Sequence, residues 1–298
     1  MELLAPKIIE FFQQLINGIS LGSVYALIAL GYTMVYGIIR LINFAHGEVF
    51  MLGAVFGFYA ITVFNLPFIP ALIVSMALAA LLGVLMERIA YKPLRKSHRV
   101  ASLMTAVGLS MFFQNFTIYR LGAQPKAFPR GTNVNWNLWG VNISNRQGMI
   151  LVIALLLMVI LHFVVQYTKM GKAMRAVSYD RDAAQLMGIN VDNIISFTFA
   201  IGSALAAAGG VLVGQYYGVV QPLMGSLYGL KAFVAAVLGG IGIIPGAMIG
   251  GLILGVAETG VSAIGYSSYR DAVAFTILIG ILIFKPTGIL GKNQREKV

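Results

Sequence analysis

Residues 149–190 read MILVIALLLMVILHFVVQYTKMGKAMRAVSYDRDAAQLMGIN. The first part, 149–168, is an uncharged run that reaches ~30 Å as a helix, enough to cross the hydrocarbon core of a bilayer. The second part, 169–190, turns polar and carries charges of both signs. Asp180 can cap the N–H groups of the residues after it, Asp182 suits the positive end of a helix, and Gly188 can take the left-handed conformation that stops one. The pair predicts a membrane span followed by a short aqueous helix over 181–187. Two turns of helix are not stable alone in water, so this piece must rest on its own bundle or on a partner. Ala183, Ala184 and Met187 offer a small apolar face for either.

The rest of the chain repeats the first half of that pattern. It is 298 residues long, 59% hydrophobic and 10% charged, with no cysteine. Soluble domains are about 25% charged, so the composition predicts an all-α polytopic membrane protein, a single domain over 1–298. The spans read as 8–30, 42–64, 68–86, 100–119, 149–168, 194–218, 232–239, 246–263 and 272–284, or about 8–9 transmembrane helices. An outer-membrane barrel would show ten-residue segments of period 2, and none is visible. The start of the chain shows no cleavage site and reads as a retained first helix.

The net charge of +11 follows membrane orientation rather than nucleic acid. The loop 87–99 carries Arg88, Lys92, Arg95, Lys96 and Arg99, and the loop 169–193 carries Lys169, Lys172, Arg175 and Arg181. Lys285, Lys292, Arg295 and Lys297 follow the last span. The positive-inside rule puts all three in the cytoplasm. The loop 120–148, with Trp136 and Trp139, is then an ordered periplasmic loop despite Arg120, Lys126, Arg130 and Arg146. Parity requires 232–239 and 246–263 to cross separately, joined by GGIGIIPG (239–246). The first is too short for a regular span, so a broken or re-entrant element is expected in the C-terminal half. Irregular backbone at that depth must be buried in protein or line a watery cavity.

Glycines spaced by four, at 210/214/218, 242/246/250 and 251/255, predict closely packed helices. INFAHGEVF (42–50) places Asn43, His46 and Glu48 between apolar helices. Ionisable groups there face a bundle interior or pathway, or sit wet at the interface. Lys231 and Glu258 end apolar runs and either pair across helices or snorkel outward. His46, His98 and His162 are far apart and no HExxH occurs, so no metal site is expected. Neither Gly-Lys pair, 171–172 or 291–292, continues as a Walker motif. No catalytic template is present, and no cofactor site is expected in this chain.

Four ordered blocks resemble one family across nearly the whole chain: GYTMVYGIIRLINFAHGEVFMLG (31–53), RAVSYDRDAAQLMGIN (175–190), AVLGGIGIIPGAMIGGLILG (236–255) and PTGILG (286–291). They are similar to the permeases of branched-chain amino acid ABC importers; urea and short-amide permeases share much of the pattern. The resemblance implies a multi-pass subunit of the bacterial inner membrane. It pairs with a second homologous permease and two cytoplasmic ATPase subunits that hold ATP and Mg, and a periplasmic binding protein feeds it. It makes the 169–193 loop the coupling helix, with Arg175 and Asp180 as polar anchors and Ala183 and Gly188 at small-residue docking positions. Asn43, His46, Glu48, Gly240, Gly242 and Glu258 would line the substrate pathway. A secondary transporter, driven by an ion gradient through Glu48 and Glu258, is the rival class.

Overall fold

The computed structural model describes residues 4–291 except Lys96, Thr132 and Trp139. The expectations placed on Lys96, Trp139, Lys292, Arg295 and Lys297 lie outside the described residues. The helices are α1 (Leu4–Ile39), α2 (His46–Thr62), α3 (Phe68–Met86), α4 (Arg99–Leu121), α5 (Asn145–Tyr167), α6 (Lys169–Tyr179), α7 (Arg181–Leu186), α8 (Val191–Tyr217), α9 (Met224–Gly239), α10 (Ile244–Ala263) and α11 (Arg270–Phe284). A π-helical turn, Glu87–Tyr91, extends α3. Among the described residues seven helices are long and apolar enough to cross a membrane, and α2 and α9 are shorter apolar helices. The all-α polytopic expectation stands.

Burial separates axis from rim. Along an apolar stretch of each span, 89% of the residues in α1 and 78% in α8 are buried, against 22% in α4 and 6% in Ser267–Phe284, which contains α11. The apolar outer faces of the rim helices suit lipid or another subunit. Glycine lets the axial helices touch. A Cβ on Gly22 of α1 would lie 2.8 Å from the Gly251 carbonyl and the Leu252 Cα of α10, and one on Gly210 of α8 would lie 2.9 Å from the Ala54 nitrogen. Gly218 and Gly242, members of the spaced series, instead sit at positive φ (72° and 93°) and end or turn the chain.

The molecule has two ends. At one, Ser144 caps α5 in a capping box with Gln147. Here β2 (Asn135–Leu138) and β3 (Val141–Ser144) form a hairpin, and β1 (Lys126–Ala127) pairs antiparallel with β4 (Val219–Val220). Among its described residues the 120–148 loop is thus partly strand. Gln13 near the start of α1 bonds the Asn142 backbone, so α1 begins at this hairpin end. At the other, basic end lie the close of α1, the turn at 92–95, α6, α7 and the α9–α10 turn.

Three boundaries differ from the sequence expectation. The first span runs on to Ile39, because nothing in 31–39 breaks a helix until Arg40 takes positive φ (56°). The second starts at His46 rather than 42, and residues 40–45 are irregular. The short piece 232–239 is the latter half of α9, which begins at Met224. Its upstream half is helical despite two glycines and Lys231, because that charge is paired inside the bundle. GGIGIIPG is thus a turn between antiparallel α9 and α10, with Gly239 packed on Gly246. The break lies before α9, not after it.

Candidate translocation site

Two short helices start inside the bundle. After α1 ends at the basic end, residues 40–45 turn back and α2 begins at His46. Gly31 of α1 is directly against the His46 ring, and Gly229 of α9 is against Gly47, with 2.8 Å between its would-be Cβ and the Gly47 Cα. Gly31 is eight residues above Ile39 and Gly229 ten above Gly239. The contact therefore lies roughly 12–15 Å from the basic end, near mid-membrane. Neither Ala45, before α2, nor Leu223, before α9, provides a side-chain cap. Backbone carbonyls take some of the first N–H groups, His46 donating to Asn43, Glu48 to Ala45 and Met224 to Gln221, and both helices direct the positive end of their dipoles into the bundle.

The polar residues of 42–50 are gathered at this break. Asn43 Oδ1 accepts 2.6 Å from Tyr91 Oη on the π-helical turn. The His46 ring stands edge-on to Tyr32 at 4.6 Å between centroids, and its Nε2 has no partner. Glu48 Oε1 accepts 3.2 Å from Ser110 Oγ of α4, while Oε2 has no partner and lies against Gly225. Asn43, His46 and Glu48 are all buried. Of Arg40 and Glu48, the two groups that the wet-interface reading places in water, Glu48 lies in the interior and Arg40 is exposed.

Glu258 is buried elsewhere, nearer the hairpin end. Its Oε2 accepts 2.9 Å from Tyr25 Oη and 3.0 Å from Lys231 Nζ, and Lys231 also pairs at 2.7 Å with Asp271. Lys231, which the sequence left between pairing and snorkelling, is the hub that joins α9, α10 and α11. Gly240 and Gly242 do not join either cluster. They make the α9–α10 turn, at φ 107° and 93°. The PTGILG tail folds over this turn: Ile289 N–H donates to the Leu238 carbonyl (2.8 Å) and Leu290 N–H to that of Gly239 (3.1 Å).

The basic end carries the predicted aqueous helix. Asp180 accepts from the N–H groups of Asp182 (2.9 Å) and Ala183 (3.0 Å), and Gly188 follows the helix at φ 82°. The expected apolar face divides. Ala184 is buried against the protein's own bundle, whereas Ala183, Leu186 and Met187 face outward. Leu186 and Met187 are 89% and 82% exposed, and Tyr179 at the close of α6 is 87% exposed. Arg175 donates to the Val165 and Gln166 carbonyls, capping the end of α5.

Sequence spacing did not single out the contacts that tie this helix to the core. Arg181 Nη2 donates 2.7 Å to the Ile38 carbonyl, in the last turn of α1. Burial, with Arg95 and Arg40 nearby, pushes its guanidinium below the ordinary arginine pKa. Arg95 binds buried Glu87 and also Asp192 (2.5 Å), Lys92 adds a bond to Asp192 (2.7 Å), and Ser196 Oγ donates to Glu87 (2.6 Å). A polar groove of about 450 Å³ runs between these groups and α7. Among the described residues no group of three metal-ligating side chains occurs.

Comparison with known proteins agrees with this architecture. Residues 14–282 match the family described as "Branched-chain amino acid transport system / permease component". The chain is 45% identical to the high-affinity branched-chain amino acid transport system permease protein LivH of Escherichia coli K12, over 99% of this chain and 100% of that protein. It is 46% identical to BraD of Pseudomonas aeruginosa, which carries the same description, over 98% and 100%. Part of it, 41%, is 33% identical to the ribose import permease RbsC of E. coli K12. The chain is a multi-pass inner-membrane transport subunit, not an enzyme, and belongs to the permease family of branched-chain amino acid transport systems.

Proposed function

We propose that this chain is one membrane subunit of an ATP-driven importer of leucine, isoleucine and valine. Its basic end faces the cytoplasm and the 120–148 loop faces the periplasm, as the positive-inside rule requires. A second homologous permease completes the pathway, two ATPase subunits hold ATP and Mg on the cytoplasmic side, and a periplasmic binding protein delivers substrate. No Walker motif stands in this sequence, so hydrolysis belongs to those partners. The family relationship supports the transport class, and the full-length identity to LivH and BraD supports the substrate.

One observation carries the coupling role. A capped helix stands at the polar end with its outer apolar residues, Leu186 and Met187, bare to solvent. Large apolar side chains at the tip of an otherwise charged surface mark an interaction site. Residues 169–193 are the docking loop: Leu186, Met187 and Ala183 enter a groove of the ATPase, and Asp180 and Gly188 hold the helix in shape. Arg175 acts from behind, by securing α6 to α5. Arg181 passes the motion of α7 to the close of α1, and hence to the break at Asn43–Glu48 that lines the pathway. Glu258 is the anchor of the α9–α11 side, and Gly240 and Gly242 let α9 and α10 turn against the tail.

The test is co-purification from detergent. Wild type is expected to bring down an ATPase subunit and a second permease. Gly188→Trp and Leu186→Asp should lose the ATPase and keep the permease. Nothing lies within 4 Å of a Cβ on Gly188, so its bulky variant meets no bundle atom, although at φ 82° it strains the stop of α7; Leu186→Asp leaves that backbone alone and tests the docking surface by itself. Retention of the ATPase by both variants would refute the docking role.

A further inference from the structure

The importer reading does not say where the substrate's charged groups are received, and a cavity beside the break answers this. It measures about 220 Å³ and lies between α1, the 40–45 turn, α4 and α9, with Tyr32, Phe44, Ser110, Met111, Gly225 and Phe233 in its wall. Pockets for drug-sized ligands run ~300–1,000 Å³, so this one suits a smaller molecule. Most of its wall is apolar. Its mouth is on the flank of α4 and α9, where Met111 and Leu230 are exposed.

The Glu48 carboxylate is not itself in that wall but stands directly behind it, against Ser110 and Gly225. Ser110 holds Oε1, and Oε2 lies against Gly225 without a partner. Glycine at 225 is what allows this, because a Cβ there would occupy the place of the carboxylate. Glu48 is 1% exposed, and an ionised carboxylate at that depth is expensive unless a proton or a cation completes it. Among the described residues Glu48 forms no ion pair; the one membrane-depth pair is that of Lys231, committed to Glu258 and Asp271. Beside the carboxylate, the uncapped start of α9 offers N–H groups around Ser226, which also lines the cavity.

We infer that this cavity is the mid-membrane station of a small apolar amino acid, resting on the importer reading above. Glu48 Oε2 receives the α-ammonium group. The N-terminus of α9 faces the α-carboxylate, and Phe44, Met111 and Phe233 face the aliphatic side chain. The site is built for the two opposite charges of a zwitterion at one side and a hydrocarbon body at the other. A neutral amide or a sugar leaves the carboxylate uncompensated.

Leucine uptake by the complete transporter in proteoliposomes tests this, with Glu48→Gln and Met111→Trp. The first keeps the shape and removes the charge; the second fills the cavity from the exposed face of α4 and leaves Glu48 in place. Both are expected to lower uptake about tenfold or more, with all subunits still co-purifying as one monodisperse complex. Normal uptake by both variants overturns the inference and leaves the importer reading intact. Loss with Glu48→Gln but normal uptake with Met111→Trp also overturns it, because Glu48 then serves the α2–α9 contact and not a ligand. A wild-type complex that assembles with its ATPase yet imports a sugar or amide and no amino acid refutes the substrate reading itself.

Discussion

Lys231 and Glu258 form a pair whose removal should not be additive. Cutting one partner of a buried ion pair leaves the other charge uncompensated, at a cost of about 3–5 kcal/mol, while replacing both with apolar residues is often neutral. Lys231→Met is therefore expected to lower the thermal midpoint in detergent sharply, and Lys231→Met with Glu258→Leu to recover most of the loss. A double variant as unstable as the single one would contradict the pairing. Arg181 makes a different prediction. Arg181→Ala should keep the ATPase bound and hydrolysing but reduce leucine uptake severalfold per ATP consumed, and Arg181→Lys should restore part of it. Pairing across helices was one of two readings open for Lys231 in the sequence, whereas nothing there pointed to the Arg181 contact. The Arg181 bond to Ile38 spans 143 positions and the Lys231 bond to Glu258 spans 27, whereas local spacing reports only neighbours on one helix. Glu48 was visible, because a carboxylate between apolar runs is conspicuous by itself.

At the scale of elements, glycine decides where helices touch. Gly22→Leu would drive a side chain into the α10 backbone 2.8 Å away and should abolish a monodisperse peak in size-exclusion chromatography. Gly280→Leu, on rim helix α11 with open space around its Cβ, should elute as wild type. Asp180→Ala removes the cap of α7 and is worth about 1 kcal/mol of that helix's order; faster amide hydrogen exchange confined to 181–187 would register it. Long spans and the capped α7 were readable because each rests on a local rule: a run of apolar residues, an Asp before the helix and a Gly after it. The start of α2 was not. Arg40 turns the chain at positive φ (56°) with neither Gly nor Pro to signal it, and tertiary packing holds it there. The β2–β3 hairpin was overlooked although NWNL and VNIS alternate polar and apolar residues, because four-residue strands are too short for that period to stand out between long apolar spans.

Over the whole molecule, α1 and α8 form a buried axis, two short helices begin at mid-depth, and the two ends differ in chemistry. One end displays strands and aromatic residues, and the other arginines, lysines and an outward apolar tip. The order of basic loops already placed α7 and the tail on the same side, and the path of the helices agrees: α8 rises, α9 descends, α10 rises and α11 descends. Composition could not show that α7 is bonded to the close of α1, beside the polar break, since that depends on how α1 ends between them. The joined arrangement predicts a machine driven from its cytoplasmic end and not by ions crossing at Glu48 or Glu258.

The most direct measurement is leucine uptake into proteoliposomes that hold this chain with its partner permease and ATPase subunits, fed by the binding protein. Uptake that requires ATP on the side of α7, persists when ion gradients are collapsed, and stops with Leu186→Asp is the predicted result. Uptake by this chain alone, driven by an ion gradient and indifferent to ATP, would contradict the account.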